Sequence, residues 1–341
     1  MKAIRIHKHG KSDVLTIDDL PVPKPQAGEV LIKVKTAALN HLDLFVRNGI
    51  PGVPLPLILG SDAAGVVVET GDNVTWLKKG DEVVQVPFRI KPDDPLLKSN
   101  NENLSENYLI PGEHVNGVQA EYICIPDIYA FHKPFNISWQ EAAAFPLVSL
   151  TAYHMLCSKI TINKGDWILV YGASSGVGSA AVQIAKAIGA NVITTVSSTE
   201  KAKKAKEIGA DHIINYEKQS IGKTAKEISG GGVDVVIDHT GADTWKESLR
   251  SLKMGGKIVT CGATTGPNVM IDLRVLFRKQ QQIIGSSMGS LKDMIEVIGL
   301  VNAGKLKPIC GKAFHFKEVS LAHEWLASGK NFGKVVLDFD D

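Results

Sequence analysis

Ile168-Leu169-Val170-Tyr171 runs directly into Gly172-Ala173-Ser174-Ser175-Gly176-Val177-Gly178, and Ser179 to Ala190 (SAAVQIAKAIGA) follows without a break. The first run is short and apolar, as a buried strand is. The last places Ala181, Ile184, Ala185 and Ile188 on one face of a helix. Between them lie small residues that let the backbone come close to a ligand. A helix N-terminus at that point offers unpaired N–H groups and a positive dipole end, so the loop Ser174, Ser175, Gly176, Val177 and Gly178 is predicted to cradle a pyrophosphate. The simple GxGxxG pattern is not met, because Ala173 and Ser175 stand at its first two glycine positions. The reading therefore rests on context: a strand before, a helix after, and what surrounds them.

Five more apolar runs follow, starting at Val192, His212, Val235, Lys257 and Gln282. Starts lie roughly 20 to 25 residues apart, leaving room for one helix in each gap. The gap STEKAKKAKEIGA is rich in helix formers and closes at Gly209. Six strands alternating with helices predict an α/β, doubly wound six-stranded parallel sheet. At the end of its second strand, a carboxylate would hold the ribose 2′-hydroxyl of NAD and repel a 2′-phosphate. This chain has Val196-Ser197-Ser198-Thr199-Glu200-Lys201, with no acid at the strand end and Glu200 already in the following helix, expected to point outward. Ser197 and Lys201 are donors, so NADPH is expected over NADH.

Upstream of this region the chain reads as β-rich. KAIRI, EVLIKVKTAAL, DAAGVVVET, DEVVQV and AEYICI alternate with turn-forming segments such as PVPKPQAGE, ETGDNV and KKGD. The polar, Asn-rich stretch Pro87 to Gly117 breaks the rhythm and is a lobe, a lid or disordered. From Ser138, with Glu141 at capping-box spacing, a helical connector is expected, interrupted near Pro146. After about Ser290 come two helices and a last strand, GKVVLDF, which fold back onto the N-terminal domain.

Composition narrows the function classes. Among 341 residues, 38 Lys+Arg against 36 Asp+Glu leave a net charge of +2, which argues against nucleic acid as partner. Hydrophobic residues at 44% and charged residues at 22% fit a globular chain. The four cysteines include no C-x-x-C pair, since the nearest two are Cys124 and Cys157. Unpaired cysteines and the lack of any ~18-residue apolar run predict a cytoplasmic protein with no membrane partner.

With these segments in hand, the chain resembles the medium-chain dehydrogenase/reductase superfamily. The likeness runs through AGEVLIKVKTAALNHLD, LGSDAAGVVVETGDNV, KKGDEVV, GASSGVGSAAVQIAKAIGA, KEIGADHIINY, VIDHTGAD and GKVVL. It implies a dinucleotide-binding Rossmann domain over 150–288 and a β-rich GroES-like catalytic domain over 1–149 and 289–341. The superfamily's zinc alcohol dehydrogenases bind catalytic zinc through residues whose places here hold Asn40, Ser61 and Leu147. None offers the thiolate, imidazole or carboxylate that zinc prefers. The family's second, structural zinc falls in the Pro87–Gly117 stretch, which has no Cys. No metal is therefore expected.

The departures resemble the zinc-free quinone oxidoreductase branch, where Asn stands at the first ligand position. That branch implies Ser197, Lys201 and Tyr216 around the 2′-phosphate, Thr240 and Gly241 beside the nicotinamide ribose or pyrophosphate, and Cys261 and Gly262 near the nicotinamide. A Tyr common in that branch is Phe45 here. QQIIGSSMG resembles an edge strand that pairs across a two-fold axis, implying a homodimer or a dimer of dimers.

Without a metal, hydrogen-bond donors must stabilise charge on the acceptor oxygen during hydride transfer. Asn40, Thr151 and His41 are the candidates from cleft-lining segments, with Asp43 in a hydrogen-bonding role. The expected activity is NADPH-dependent, zinc-independent hydride transfer to a small-molecule enone, quinone or related carbonyl. Two alternatives stand beside it: an alcohol dehydrogenase for simple alcohols and aldehydes, and a cofactor-binding protein that turns nothing over.

Overall fold

The strand Trp167–Val170 is flanked on one side by Asn191–Val196 and on the other by Val233–Asp238, in parallel with both. This is where the strand order reverses. The full order is His212–Asn215, Asn191–Val196, Trp167–Val170, Val233–Asp238, Leu252–Thr260 and Gln282–Gly285, and every neighbouring pair is parallel. A parallel pair needs a crossover, and the helices Gly176–Ile188, Thr199–Glu207, Ile221–Ser229, Ala242–Ser251 and Leu273–Arg278 fall in the five gaps. Leu169, Tyr171, Ile193, Ile214, Val236 and Ile258 are buried in one apolar cluster that ties the sheet to its helices. The doubly wound six-stranded sheet is thus as the sequence predicts.

The computed structural model describes residues 1–340. Contacts divide the chain into one unit of residues 1–147 with 308 onward, and a second of 148–307. The C-terminal boundary differs from the expected one. Residues 289–307 pack with the second unit: Asp293, in the helix Leu291–Asn302, accepts from His154 Nδ1 at 2.7 Å and Ser158 Oγ at 2.6 Å. Lys307 N–H donates to Gln183 Oε1 at 2.8 Å. Only the chain beyond that point joins the first unit.

The first unit is built on a seven-stranded sheet. Its main path runs Cys310–His315, Lys334–Asp338, Glu29–Leu39, Asp62–Thr70, Glu82–Gln85 and Ala130–His132, with Tyr122–Pro126 also pairing to Glu29–Leu39. A three-stranded sheet of Leu15–Asp19, Lys2–Ile6 and Leu57–Ile58 stands apart from it. Val30, Ile32, Val34, Val67, Val83, Val335 and Leu337 form the core, and Phe316 stacks on Phe339 at 5.0 Å.

The stretch Pro87 to Gly117 is an ordered lobe held by polar bonds. Asp94 caps the short helix Pro95–Lys98 through Leu96 N–H at 3.0 Å and accepts from Ser105 Oγ at 2.5 Å. Tyr108 stacks on Phe88 at 4.7 Å. The connector forms as two helices, Trp139–Ala144 and Pro146–Tyr153, the break falling before Pro146 as proline dictates. No helix among the described residues is long and apolar enough to cross a membrane.

Candidate active site

In the second unit the glycine loop follows Trp167–Val170. Gly172 N–H donates to Thr195 Oγ1 at 2.9 Å, and Ala173 N–H to the Thr195 carbonyl at 3.1 Å, which ties the loop to the neighbouring strand. Ser175 is the N-cap of Gly176–Ile188, its hydroxyl accepting from Gly178 N–H at 2.8 Å. The amides of Gly176 and Val177, in the first helical turn, have no partner among the described residues and suit an anion. Gly178 cannot be replaced cheaply, because a Cβ there would lie 2.1 Å from the Gly172 carbonyl oxygen. That contact, rather than a positive φ, explains the last glycine of the loop.

His239, which sequence reasoning passed over, braces the loop from the next strand. Its Nε2 donates to the Tyr171 carbonyl at 3.0 Å and lies 3.2 Å from Ser175 Oγ, and burial lowers its pKa. The imidazole is therefore neutral with its proton on Nε2. Asp238 was missed as well. It ends Val233–Asp238 and gathers Thr240 N–H at 2.8 Å, Gly241 N–H at 3.1 Å, Thr244 Oγ1 at 2.8 Å and Ser248 Oγ at 2.7 Å. This carboxylate shapes the turn bearing Thr240 and Gly241. On the adjacent strand end, a Cβ on Gly262 would meet the His239 carbonyl oxygen at 2.7 Å. Burial, then Asp238, pushes the Cys261 thiol up to about 12, which keeps it protonated and unreactive at neutral pH.

Ser197 and Tyr216 lie at the end of Asn191–Val196, and Lys201 is in the helix that follows. Tyr216 N–H donates to the Val196 carbonyl at 3.1 Å, and Ser198 caps the helix Thr199–Glu207 by accepting from Lys201 N–H at 3.2 Å. Glu200 is exposed and turned to Lys204 at 3.8 Å, one helical turn on. Around the strand end the chain thus carries a hydroxyl residue, a lysine and a tyrosine, with Glu200 paired to Lys204.

In the first unit Asn40 ends Glu29–Leu39 and is the N-cap of the helix His41–Gly49. Asp43 completes that cap, accepting the Asn40 N–H at 2.6 Å, and is buried. Burial raises its pKa to about 6, against the lowering effect of the Asn40 N–H and Lys334. Its role is to hold the helix start. His41 is exposed on the first turn of that helix. Thr151 belongs to the second unit, where its hydroxyl donates to Met288 Sδ at 3.9 Å.

The centre of the first-unit site is a buried ion pair that the sequence did not advertise. Lys334 Nζ lies 3.0 Å from Asp62 Oδ2, and the two side chains are 5% and 0% exposed. The same ammonium donates to Asn40 Oδ1, and Asn40 Nδ2 donates to Asp62 Oδ2 at 2.9 Å. The other oxygen, Asp62 Oδ1, accepts Leu147 N–H at 2.8 Å. An ammonium has donors only, so it dictates which end of the Asn40 amide faces it. One N–H of Nδ2 goes to Asp62; the second is left to donate elsewhere.

This geometry does not fit zinc. Asn40 is bonded to Lys334 and Asp62, Ser61 Oγ donates to the Pro111 carbonyl at 2.8 Å, and Leu147 offers an apolar side chain. Among the described residues no group of three or more His, Cys, Asp or Glu could hold a metal ion. The charge beside Asp62 is an ammonium of the chain itself.

Comparison with known proteins covers both units. Residues 26–135 match the family model described as alcohol dehydrogenase GroES-like domain, and residues 176–303 match the one described as zinc-binding dehydrogenase. The second match includes none of positions 40, 61 and 147. An NAD-dependent alcohol dehydrogenase of Sulfolobus acidocaldarius is 35% identical over 99% of both chains. A solved NAD-dependent alcohol dehydrogenase is 40% identical with a TM-score of 0.97 over 100% of both chains. A crotonyl-CoA carboxylase/reductase, solved in complex with NADP, is 26% identical with a TM-score of 0.92, over 99% of this chain and 94% of that one. Two matched domains in this order, and likeness over the whole length, carry the assignment that the motifs implied: the chain is an oxidoreductase belonging to the medium-chain dehydrogenase/reductase superfamily.

Proposed function

We propose that this oxidoreductase is NADPH-preferring and zinc-independent, and that it reduces a conjugated carbonyl compound: an enone, a quinone or a related acceptor. The observation that carries the reading is the Asn40 amide, held by Lys334 and Asp62 where zinc-dependent relatives would need a metal ligand. The loop from Ser174 to Gly178, with Thr240, Gly241, Cys261 and Gly262, would hold the nicotinamide and pyrophosphate parts of the dinucleotide. Ser197, Lys201 and Tyr216 would hold the 2′-phosphate. The bound dinucleotide supplies the hydride.

The remaining steps belong to the chain. Asn40 donates its free N–H toward the oxygen on which negative charge develops, with His41, the next residue, as a second donor. The Lys334–Asp62 pair keeps that amide from rotating its carbonyl toward the charge. A neutral amide is a weaker electrophile than a divalent cation, so acceptors that spread charge by conjugation suit the site better than isolated ketones. The crotonyl-CoA relative, whose named substrate is a conjugated thioester, favours the same class.

The test is steady-state NADPH oxidation with an enone, a quinone and an enoyl thioester, run beside simple alcohols with NADP and NAD. Chelator treatment and elemental analysis of the same preparation complete it. Turnover of a conjugated acceptor that survives chelation supports the reading. Stoichiometric zinc with activity lost to chelator overturns it, and so does turnover confined to alcohols or no turnover at all. Preference for simple alcohols is the second reading, favoured by the 40% identity to an NAD-dependent alcohol dehydrogenase.

We also propose residues 1–149 with the C-terminal tail as the catalytic domain, a cytoplasmic location consistent with four free cysteines, and a homodimer or dimer of dimers. The assembly reading is supported by the exposed edge strand Gln282–Gly285 with Ile283, and by exposed Leu273 and Phe277 on the preceding helix. A monomer by sedimentation would remove it.

A further inference from the structure

The first unit contains a cavity of about 570 Å³ that belongs neither to the glycine loop nor to the Asn40 cluster. Leu20, Pro21, Ile58 and Val115 give it apolar walls, and two arginines, Arg5 and Arg89, also line it. Its volume is that of a small-molecule site, since such pockets run ~300–1,000 Å³.

The two arginines differ in how they are satisfied. Arg5 Nη1 donates to Asp18 Oδ2 at 3.2 Å, and His7 Nε2 reaches the same oxygen at 2.8 Å. Arg89 has its backbone bridged to Leu109 in the lobe, but its guanidinium makes no hydrogen bond or ion pair among the described residues. The Nε atoms of both arginines are buried without a partner. A guanidinium carries five N–H donors, and burying it unpaired is costly. Desolvation lowers the Arg89 pKa, with Glu29, Tyr129 and Cys124 acting in the opposite direction without bonding it. Glu29 itself accepts the Gln26 N–H at 3.0 Å. The Cys124 thiol is pushed up to about 11 by burial, then by Glu29 and Glu69, so it brings no charge to the cavity at neutral pH. The cavity is therefore a half-open, largely apolar concavity with an arginine on its wall that no carboxylate bonds.

We propose that this cavity binds an organic anion whose carboxylate or phosphate pairs with Arg89 and whose apolar body lies against Leu20, Pro21, Ile58 and Val115. Arg offers a planar fork matched to either head group. The site owes nothing to the reaction proposed above, and it assigns the Pro87–Gly117 lobe a purpose: the lobe carries Arg89 to the cavity wall.

The experiment is titration calorimetry on the full chain with hexanoate, hexyl phosphate, inorganic phosphate and hexanol, repeated on Arg89→Met. Saturable binding of hexanoate or hexyl phosphate is expected, and whichever binds more tightly identifies the head group. Inorganic phosphate, lacking the body, and hexanol, lacking the charge, should bind at least tenfold more weakly. Arg89→Met should weaken the organic anion at least tenfold, the loss expected for a charge-assisted bond. No saturable binding of either organic anion at millimolar concentration overturns the proposal. So does equal binding of inorganic phosphate or hexanol, or unchanged affinity in the variant. Thermal unfolding of the unliganded variant is the second measurement. Removing a half-buried guanidinium that bonds no carboxylate should leave the melting temperature equal or higher, whereas a large drop would make Arg89 a structural residue and sink the site.

Discussion

Replacing Lys334 by Met removes a buried ammonium and leaves Asp62 charged, with only Asn40 Nδ2 and Leu147 N–H as partners. Breaking a buried pair by deleting one member costs about 3–5 kcal/mol, because the remaining charge has lost its counter-ion in a place water cannot reach. Here both side chains lie near zero exposure, so the upper part of that range applies. At ~2–4 °C per kcal/mol for a unit of this size, the melting transition of the first unit should fall by roughly 8–20 °C. Lys334→Met/Asp62→Asn then restores neutrality and should recover at least half of the loss, a coupling that two independent sites would not show. Activity gives a separate reading. Freed from the ammonium, the Asn40 amide can turn its oxygen toward the developing charge. Losing one oriented, charge-linked bond of ~1.5–3 kcal/mol lowers kcat about ten- to a hundredfold. The KM for NADPH should not move, since the dinucleotide groups are on the second unit. Thermal unfolding of the three proteins, followed by steady-state kinetics at a temperature where all are folded, makes the measurement. A loss under about 1 kcal/mol in the single variant, or strict additivity in the double, would refute the buried-pair reasoning. Unchanged kcat would refute the positioning role of Lys334.

Three further outcomes are expected. Lys201→Ala should weaken NADPH much more than NADH by fluorescence titration; equal weakening of both would remove the 2′-phosphate assignment. Gly178→Ala forces a methyl to within 2.1 Å of a backbone carbonyl oxygen, so it should cost about 1–3 kcal/mol of stability and most dinucleotide affinity. A variant that binds normally would mean the loop has room that the structure denies. Asp43→Asn isolates a pH effect. The folded pKa of Asp43 is raised to about 6 from 3.8, so the folded state holds its proton more tightly, and ionising it costs stability as pH rises through that window. His323, lowered to about 3 by burial and then Arg47, acts oppositely, losing stability as pH falls below about 6.5. The stability advantage of Asp43→Asn over the parent should therefore be larger at pH 7 than at pH 4 by about 2 kcal/mol. A difference flat in pH, from denaturant melts, would show that Asp43 titrates normally.

Much of the second unit was legible because its information is local. A strand, a turn of small residues and a helix each announce themselves by the spacing of neighbouring side chains, and repetition of that unit leaves few ways to wind the sheet. The strand–loop–helix form around Ser174 to Gly178 was legible for that reason, while the roles proposed for Ser197, Lys201 and Tyr216 came through the family resemblance. His239 and Asp238 were not, though the same DHTG segment carries both. Their roles depend on what lies across the strand: the Tyr171 carbonyl for one, Thr244 and Ser248 for the other. Likewise the helix Leu291–Asn302 is legible, but the partner of its buried Asp293, His154, is not written in its period. In the first unit, strands such as Leu57–Ile58 and Ala130–His132 are too short for any alternation to register.

By itself the sequence determined the alternation of strands and helices and the small-residue loop between the first strand and its helix, because each depends on residues adjacent along the chain. Tertiary structure alone decided that Lys334, read as one residue of a closing strand, stands beside Asn40 and Asp62 in a dry cluster, and that Arg89 faces a cavity with no carboxylate bonded to it. The physical reason is the same in both cases. The energy of a charge depends on which groups surround it once water has been excluded, and pairing across hundreds of positions is set by sheet register, which no local pattern encodes.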